Sequence, residues 1–237
     1  MSGHSKWKQI KQKKGAADAK RGTLFSQLSK LITVAARSGQ NLDMVLARAK
    51  TANMPADNID RAIKKGTGEL GDGVQIEALT YEAYGPGGAA LLIGVLTDSR
   101  NRAVQAVKTA LKKHGGRLAE SGSVQYLFDH KGMIEVAIDP TKSRDDVELA
   151  LIEAGAEDIQ TDDDALTVFV APVDLMATKQ AIEAAGFSVR DAQLTNVAKL
   201  AIKLSSDDEA KLVELMEAID DQDDVDTVET NADLSIN

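Results

Sequence analysis

Residues 133–138 read MIEVAI and residues 166–170 read LTVFV, and both apolar runs are predicted strands. Each strand precedes an amphipathic helix, predicted over Arg144–Ala154 and Val173–Ala185. The second strand of each unit is predicted around Ile159 and at Phe187–Ala192. Two successive strand–helix–strand units are typical of the ferredoxin-like pattern, in which an antiparallel sheet carries both helices on one face. This stretch of the chain therefore predicts a ferredoxin-like domain.

Helix and strand signals continue on both sides of this domain. The elements predicted upstream are Ile76–Tyr84, the turn Gly85–Gly88, Ala89–Leu96, a helix that begins after Thr97–Arg102 and stops at Gly115-Gly116, and a strand at Gly122–Phe128. The elements predicted downstream are a strand at Val197–Leu204, a helix that opens with the capping box Ser206–Glu209, and a strand at Val225–Glu229. The tail to Asn237 is expected to be loose.

The turn Gly85-Pro86-Gly87-Gly88 has two interpretations. Glycine-rich turns can cradle a phosphate through backbone N–H groups. This turn lacks the Gly-Lys-Ser/Thr ending of a nucleotide-binding loop, and it joins two strands where such a loop opens a helix. A hairpin turn is the better interpretation.

Three short helices are predicted in the first 66 residues. Their apolar positions run from Leu24 to Ala36, from Leu42 to Ala49 and from Ile59 to Ile63, and Gly66 is expected to end the third helix. Glycines between residues 66 and 73 indicate a linker, so residues 1–66 are predicted to form a small helical domain. Three helices invite a helix-turn-helix interpretation, but nothing marks one of them as a recognition helix.

Charge divides the chain into two parts of opposite sign. Residues 1–66 contain 14 basic and 4 acidic side chains, a net charge of +10, whereas the remainder contains 14 basic and 33 acidic side chains, a net charge of −19. The cations are densest in residues 1–22, which we call the basic arm. A concentrated positive segment attracts polyanions, because binding releases their counterions. The expected ligand of the basic arm is nucleic acid.

A membrane surface, or no partner at all, fits the basic arm less well. A helix that lies on a membrane needs a wide apolar face, and residues 3–22 offer only Trp7, Ile10 and a few alanines. A solvated tail without a partner is common for charge runs. Trp7, however, is the only tryptophan and stands between two lysines, where its ring could stack on a base while the cations hold phosphates. The same ring could instead dock on a neighbouring helix.

Arg100 and Arg102 lie in the first turn of a predicted helix, where the helix dipole disfavours a cation by about 0.3–1 kcal/mol. Two arginines in this position predict a compensating partner, and a phosphate or an internal carboxylate would serve equally well. Both arginines are therefore candidates for a secondary nucleic-acid site.

The composition excludes several classes of site. The chain has no cysteine, and its three histidines, His4, His114 and His130, are far apart in sequence. The acid runs Asp162–Asp164 and Asp220–Asp224 lack the spacing of a calcium-binding loop and are best explained as solvated loops. No nucleophile–base pair is evident. We therefore expect no catalytic residue, no metal, no cofactor and no small-molecule substrate.

Hydropathy points to a protein without a membrane partner. No run approaches eighteen apolar residues, and the N-terminus lacks the hydrophobic core of a signal peptide. A soluble, cytoplasmic protein is expected.

Six ordered motifs resemble the YebC/PmpR family, which includes the mitochondrial translational activator of cytochrome oxidase subunit one. The motifs are Gly3–Trp7, Asp18–Gly22, Asn53–Pro55, Tyr81–Gly88, Thr97–Arg102, and Lys113–Gly116 followed by Gly122–Val124. The chain departs from the family at Ala83, where glycine is usual, and at Ser99, where asparagine is usual. Between Gly39 and Asn53 it is shorter than usual and lacks an Asn-Pro-Arg-Leu run.

The resemblance implies an α+β multi-domain fold, with an N-terminal helical domain followed by two α+β domains, the last ferredoxin-like and inserted into the middle one. The boundaries are 1–73 for the basic arm and helical domain, 74–130 and 194–237 for the sheet domain, and 131–193 for the inserted domain. Periodicity alone does not reveal the insertion.

Three functions are open. The resemblance implies a DNA-binding transcriptional regulator or a ribosome-associated translation factor that binds ribosomal RNA and relieves stalling at proline-rich stretches. The third is an interaction scaffold whose basic arm folds back on its own acidic body. The expected partners are duplex DNA or ribosomal RNA, with the ribosome in the second case. The candidate nucleic-acid-binding residues are His4, Lys6, Trp7, Lys8, Lys11, Lys13, Lys14, Lys20 and Arg21, with Arg100 and Arg102 as a secondary site.

Overall fold

The computed structural model describes Trp7 and residues 17–71, 75–139, 141–161 and 165–235. Contacts within the chain divide it into two units. The first unit contains Met1–Leu42, Pro55–Asp129 and Val197–Asn237, and the second contains Asp43–Met54 and His130–Asn196. The fold is α+β, with helices first and two four-stranded sheets after them.

Most of the described helices and strands follow the predicted order, and the short strand β3 was not predicted. In chain order they are α1 (Ala17–Ser38), α2 (Leu42–Thr51), α3 (Ala56–Thr67), β1 (Glu77–Tyr84), β2 (Ala90–Thr97), α4 (Arg100–Lys113), β3 (Arg117–Leu118), β4 (Phe128–Ala137), α5 (Arg144–Glu153), β5 (Asp158–Thr161), β6 (Ala165–Val170), α6 (Leu175–Ala184), β7 (Val189–Ala198), α7 (Ser206–Asp220) and β8 (Val225–Thr230). Short 3-10 helices lie at Pro86–Gly88, Gln125–Leu127 and Pro172–Asp174.

Gly66 was predicted to end the third helix, but it lies inside that helix. Helix α3 continues to Thr67 and is capped by Gly68, whose φ of 83° is left-handed. Gly66 is buried against α1, and a Cβ atom there would lie 2.5 Å from the backbone oxygen of Thr33 and 2.7 Å from the Cβ of Ala36. The glycine therefore permits the close approach of α1 and α3.

The first sheet has the strand order β3-β1-β2-β8 and is antiparallel throughout. The predicted hairpin joins β1 to β2, with Tyr84 opposite Ala90. Both faces of β2 are buried, which explains its unbroken apolar run: one face packs in a cluster with α4 and α7, and the other packs with Val124 and Phe128. Strand β8 follows residues 130–196 in sequence but pairs with β2, so this segment interrupts the first sheet.

The second sheet has the strand order β5-β6-β4-β7. Taken in chain order these four strands are arranged 2-3-1-4, which is the ferredoxin-like order. Helices α5 and α6 contribute Val147, Leu151, Leu175 and Ile182 to one hydrophobic cluster with Ile134 and its neighbours on the sheet, so both helices cover the same face. The predicted ferredoxin-like pattern is confirmed.

The second unit also includes residues from α2. Arg48 on this helix forms an ion pair with Asp191 on β7, with Nε and Oδ1 3.4 Å apart. Grouping by contacts therefore assigns residues 43–54 differently from the prediction of one helical domain over residues 1–66. The proposed boundaries at residues 73, 130 and 193 stay predictions.

Three local predictions were wrong. Residues 122–127 form a turn and a 3-10 helix instead of a strand, because their N–H groups donate to the carboxylate of Glu82. The strand predicted at Val197–Leu204 ends at Ala198, and only Ile202 forms an isolated bridge, to Ala232. The tail is not loose up to residue 235, since Ala232 and Leu234 are fully buried.

The cap of the last helix lies one residue before its predicted position. Ser205, not Ser206, is the N-cap residue, and its hydroxyl accepts a hydrogen bond from the N–H of Asp208. Ser99 caps α4 in the same way and accepts from the N–H of Arg102. A serine at this departure from the family pattern therefore still caps the helix.

Candidate nucleic-acid interface

Most of the predicted nucleic-acid-binding residues lie outside the described residues. These are His4, Lys6, Lys8, Lys11, Lys13 and Lys14. Lys20 and Arg21 fall within α1, where the backbone but not the side chains is described. The roles of these eight residues stay predictions.

Trp7 lies in a hydrophobic core instead of on an open surface. The residue is 4% exposed and belongs to the cluster that also contains Leu91 and Ile93 of β2 and Leu212 of α7. A ring buried to this degree cannot stack on a base without leaving the cluster. This burial favours the docking interpretation of Trp7, and the stacking role stays a prediction.

Arg100 and Arg102 both have internal carboxylate partners. Arg100 pairs with Glu77 on the neighbouring strand β1. The Nη2 atom of Arg102 lies 2.6 Å from Asp98 and 2.8 Å from Asp224. Both arginines therefore have an internal carboxylate partner, one of the two kinds that their position at the helix start predicted, and their nucleic-acid role stays a prediction. Both side chains stay largely exposed, at 69% for Arg100 and 56% for Arg102.

Asp224 is the centre of a polar cluster in the first unit. Lys30 on α1 donates to its Oδ1 at 3.0 Å, and the hydroxyl of Thr97, at the end of β2, donates to Oδ2 at 3.0 Å. Arg102 contacts both oxygens, through Nε at 3.0 Å and Nη2 at 2.8 and 3.1 Å. The three donors come from different elements, so one carboxylate links α1, β2 and α4 to the turn before β8.

The pKa values of this cluster reflect its pairing. Burial alone would raise the pKa of Asp224, but hydrogen bonds from Lys30, Arg102 and Thr97 outweigh burial and hold it below its ordinary value. Hydrogen bonds to Asp224 and Asp98 raise the pKa of Arg102. Asp224 is therefore ionised at neutral pH, and its negative charge is matched by two cations.

A cleft of about 690 Å³ lies beside this cluster, and we call it the α1 cleft. It is lined mainly by polar side chains of α1 and by the residues around Asp224: Gly22, Thr23, Ser26, Gln27, Ser29, Lys30, Thr33, Lys65, Ile76, Asp98, Arg102, Asp223 and Asp224. Polar contacts connect α1 to the residues around β8 along this cleft. Gln27 donates to the carbonyl of Val225 at 3.0 Å, and Lys30 donates to the carbonyl of Asp223 at 2.8 Å.

A smaller cavity of about 200 Å³ adjoins the same ion pair. Arg102, Asp223 and Asp224 line both spaces, while Ala103, Val107 and Val225 give the smaller one an apolar wall. The pair Arg102–Asp224 therefore stands between a polar cleft and a smaller, more apolar cavity.

The acid run at residues 220–224 was predicted to be a solvated loop, but its side chains differ in exposure. Asp221 and Asp223 are exposed, but Asp224 is 9% exposed, and both of its carboxylate oxygens accept hydrogen bonds. Nothing in the local sequence separates Asp224 from its acidic neighbours. The only sequence feature that pointed to Asp224 was the arginine pair at the start of α4. It predicted a carboxylate or phosphate partner but did not identify the residue. The run Asp162–Asp164 lies outside the described residues.

Two kinds of site are absent from the described ranges. No group of three or more His, Cys, Asp or Glu side chains there is arranged to hold a metal ion. None of the helices described is long and apolar enough to cross a membrane.

Two family models match the chain. One, described as the TACO1/YebC protein N-terminal domain, matches residues 5–69. The other, described as the TACO1/YebC second and third domain, matches residues 76–232. The gap between the matches falls at the glycine-rich linker predicted from the sequence.

Full-length relatives carry a consistent description. A "probable transcriptional regulatory protein" from Desulforamulus reducens is 45% identical over 98% of each chain. One with the same description from Rubrobacter xylanophilus is 46% identical over 99% of this chain and 96% of its own length. The crystal structure of a conserved hypothetical protein from Aquifex aeolicus has a TM-score of 0.86, with 38% identity and 93% of each chain covered.

Proposed function

Because the chain belongs to the TACO1/YebC family, we propose that it is a nucleic-acid-binding regulator of gene expression, without enzymatic activity, that acts in transcription by binding DNA. The names of its relatives support a regulatory role. The observation that carries the nucleic-acid part is the charge division, +10 over residues 1–66 against −19 over the remainder.

This charge division has a physical consequence for binding. A polyanion is attracted to the basic part and repelled by the acidic part, so the protein approaches nucleic acid with its N-terminal part first. Lysines that contact phosphates release counterions, and the affinity then falls steeply with salt. Such contacts position the protein on the nucleic acid without reading its sequence.

A ribosome-associated translation factor that binds RNA and relieves stalling at proline-rich stretches is the second candidate, and the surface of α3 favours it. A recognition helix lies in the major groove of DNA with its N-terminal residues against the base edges, so these residues should not be repelled by the phosphates. Helix α3 has Asp57 in its first turn, its Asp60 pairs with Lys64 at 2.7 Å, and Ala62 and Gly66 are buried. Acidic groups at the start of this helix disfavour its entry into the major groove of DNA, and recognition that does not depend on such a helix is typical of RNA-binding proteins.

The test should replace lysines instead of deleting the basic arm, since a deletion would also remove Trp7 from the core. We would change Lys8, Lys11, Lys13 and Lys14 to Gln. A matched control changes four exposed lysines of the body, Lys108, Lys112, Lys113 and Lys211, and so removes the same charge. Gel shifts on duplex DNA and co-sedimentation with ribosomes are measured at several salt concentrations.

The arm variant is expected to lose DNA binding and to lower the salt slope by about 3–4 units, whereas the control stays near wild type. Loss of ribosome co-sedimentation without any DNA shift in the wild type would establish the second candidate. If the two variants lost nucleic-acid binding equally, or if neither lost it, both candidate functions would be overturned. The scaffold interpretation would then remain.

A further inference from the structure

The donors around Asp224 form a set that suits a phosphate as well as a carboxylate. Arg102 presents Nε and Nη2 to the two carboxylate oxygens at 2.8–3.1 Å, and a guanidinium group binds phosphate oxygens with the same fork. Lys30 and Thr97 add an ammonium and a hydroxyl donor, each at 3.0 Å. Both donor types are common in contacts to nucleic-acid phosphates.

The exposure of the partners shows from which side an anion could arrive. The side chain of Asp224 is 11% exposed, whereas those of Lys30 and Arg102 are 22% and 56% exposed. All three line the α1 cleft, whose volume of about 690 Å³ falls within the range of ligand-binding clefts. The cations are therefore reachable from the cleft while the carboxylate that neutralises them is largely covered.

The charges that face the cleft balance one another. Three cations, Lys30, Lys65 and Arg102, stand against three carboxylates, Asp98, Asp223 and Asp224. Asp98 also contacts Arg102, at 2.6 Å. With all six groups ionised the cleft is formally neutral and has no net attraction for a polyanion. Removing the charge of Asp224 would leave it at +1.

The cleft also lies next to the basic arm in sequence. Gly22, the last residue of the basic arm, and Thr23 line it, and they directly follow Lys20 and Arg21. Thr23, Ser26 and Ser29, which carry hydroxyl groups, line the same space as Lys30 and Arg102.

From these contacts we infer that Asp224 occupies the place of a nucleic-acid phosphate and holds Lys30 and Arg102 in an autoinhibitory ion-pair cluster at the α1 cleft. A phosphate of the bound strand competes with Asp224 for these cations. The inference rests on the proposed function and adds to it the regulation of a second phosphate contact.

The test compares Asp224→Asn with Asp221→Asn, which removes the same charge from an exposed residue in the same turn. Binding of a duplex DNA and of a single-stranded RNA of equal length is measured by fluorescence anisotropy over a range of salt. For Asp224→Asn we expect roughly fivefold tighter binding per new phosphate contact at ~0.15 M salt, and a salt slope steeper by about 1–2 units. Asp221→Asn should stay within about twofold of wild type, as expected for one exposed, screened charge.

A double variant identifies the cations that cause the gain. Asp224→Asn combined with Arg102→Gln is expected to lose most of the added affinity and the added salt slope. If Asp224→Asn does not fold, Asp98→Asn removes the other carboxylate from Arg102 at a more exposed position, 38% exposed, and should give a smaller gain in the same direction.

The outcomes separate this inference from the function on which it rests. Equal gains for Asp224→Asn and Asp221→Asn would reduce the effect to net charge and overturn the inference. Unchanged or weaker binding by Asp224→Asn, with wild-type binding intact, would overturn it while leaving the proposed function in place. Absence of binding by every variant and by the wild type would overturn both.

Discussion

Glu82 and Asp224 are both buried carboxylates of the first unit, but their negative charges are stabilised by different donors. Glu82 on β1 accepts hydrogen bonds from backbone N–H groups, those of Gly122, Val124 at 2.6 Å and Gln125 at 3.0 Å. The carboxylate of Asp224 accepts only from side chains in its described contacts. Backbone donors are fixed by the path of the chain, whereas Lys and Arg side chains can rotate towards another anion. The comparison separates a structural carboxylate from an exchangeable one.

The surroundings of the two groups agree with this distinction. The turn that holds Glu82 covers one face of the first sheet through Val124, which is fully buried. Asp224 instead lies at the edge of the α1 cleft, and its partner Arg102 is more than half exposed. A change at Glu82 should therefore reduce stability, and a change at Asp224 should mainly alter what the cleft can bind.

The largest expected effect is on the stability of a Glu82→Gln variant. Glutamine keeps the size of the side chain but turns an NH₂ group towards buried N–H donors and removes the charge that strengthens their hydrogen bonds. We expect the free energy of unfolding to fall by about 3 kcal/mol, measured by urea denaturation. Glu77→Gln is the matched control on the same strand, because its partner Arg100 is exposed, and it should cost less than about 1 kcal/mol.

Asp224→Asn provides the comparison within the same experiment. It should lose less stability than Glu82→Gln, because Lys30 and Arg102, which carry the charge-assisted contacts, are partly exposed and can turn to solvent. Equal losses for Glu82→Gln and Asp224→Asn would contradict the distinction between fixed and exchangeable donors.

The second prediction concerns the pH dependence of stability. For Glu82, burial alone would raise the pKa, but the N–H groups of Val124, Gly122 and Gln125 outweigh it and hold the pKa below its ordinary value of 4.5. The pKa of Asp224 also lies below its ordinary value, 3.8. A carboxylate with a depressed folded-state pKa stabilises the protein above its unfolded-state pKa, and that stability is lost as the pH falls through the folded-state value.

Urea denaturation between pH 6 and pH 3 tests this sign. The wild type should lose stability progressively below about pH 4.5, where the unfolded-state carboxylates begin to bind protons. In Glu82→Gln the free energy of unfolding should fall less steeply than in the wild type from that pH downwards. In Asp224→Asn it should fall less steeply only from about pH 3.8 downwards. If the wild-type free energy of unfolding rose as the pH fell over this range, the lowered pKa values assigned to Glu82 and Asp224 would be wrong.

Much of the fold could be predicted because most elements carry their own periodicity. The ferredoxin-like unit follows from two strand–helix–strand patterns, and the central strand β2 follows from an apolar run that is buried on both faces. The strand predicted at Gly122–Phe128 failed because a residue forty positions away takes up its N–H groups. Gly66 was assigned as a stop because a glycine that ends a helix and one that admits a neighbouring helix look alike in sequence.

The candidate site was predictable only in part. Arginines in the first turn of a helix predicted an anionic partner for Arg102, and such a partner is present. Its identity depended on contacts across more than a hundred residues, between Arg102 and Asp224, and on Lys30 from a third element. The lysine neighbours of Trp7 suggested a surface position, whereas its ring belongs to the core, so the burial of Trp7 could not be predicted and its stacking role stays a prediction.

The smallest expected effect is at Trp7, and it tests whether the core that α4 and α7 form with the first sheet stays intact when the Asp224 region binds a ligand. Trp7 shares this hydrophobic cluster with Val225, the residue after Asp224, and it is the only tryptophan, so its fluorescence reports on that cluster alone. Buried at 4% exposure, it should emit at short wavelength and resist quenching by acrylamide. Saturating duplex DNA or RNA should leave both properties unchanged, because nucleic acid exchanges side-chain partners at Asp224 without opening the core. Strong quenching on addition of nucleic acid would favour base stacking by Trp7 and would show that binding opens the core next to Asp224 instead of exchanging only its side-chain partners.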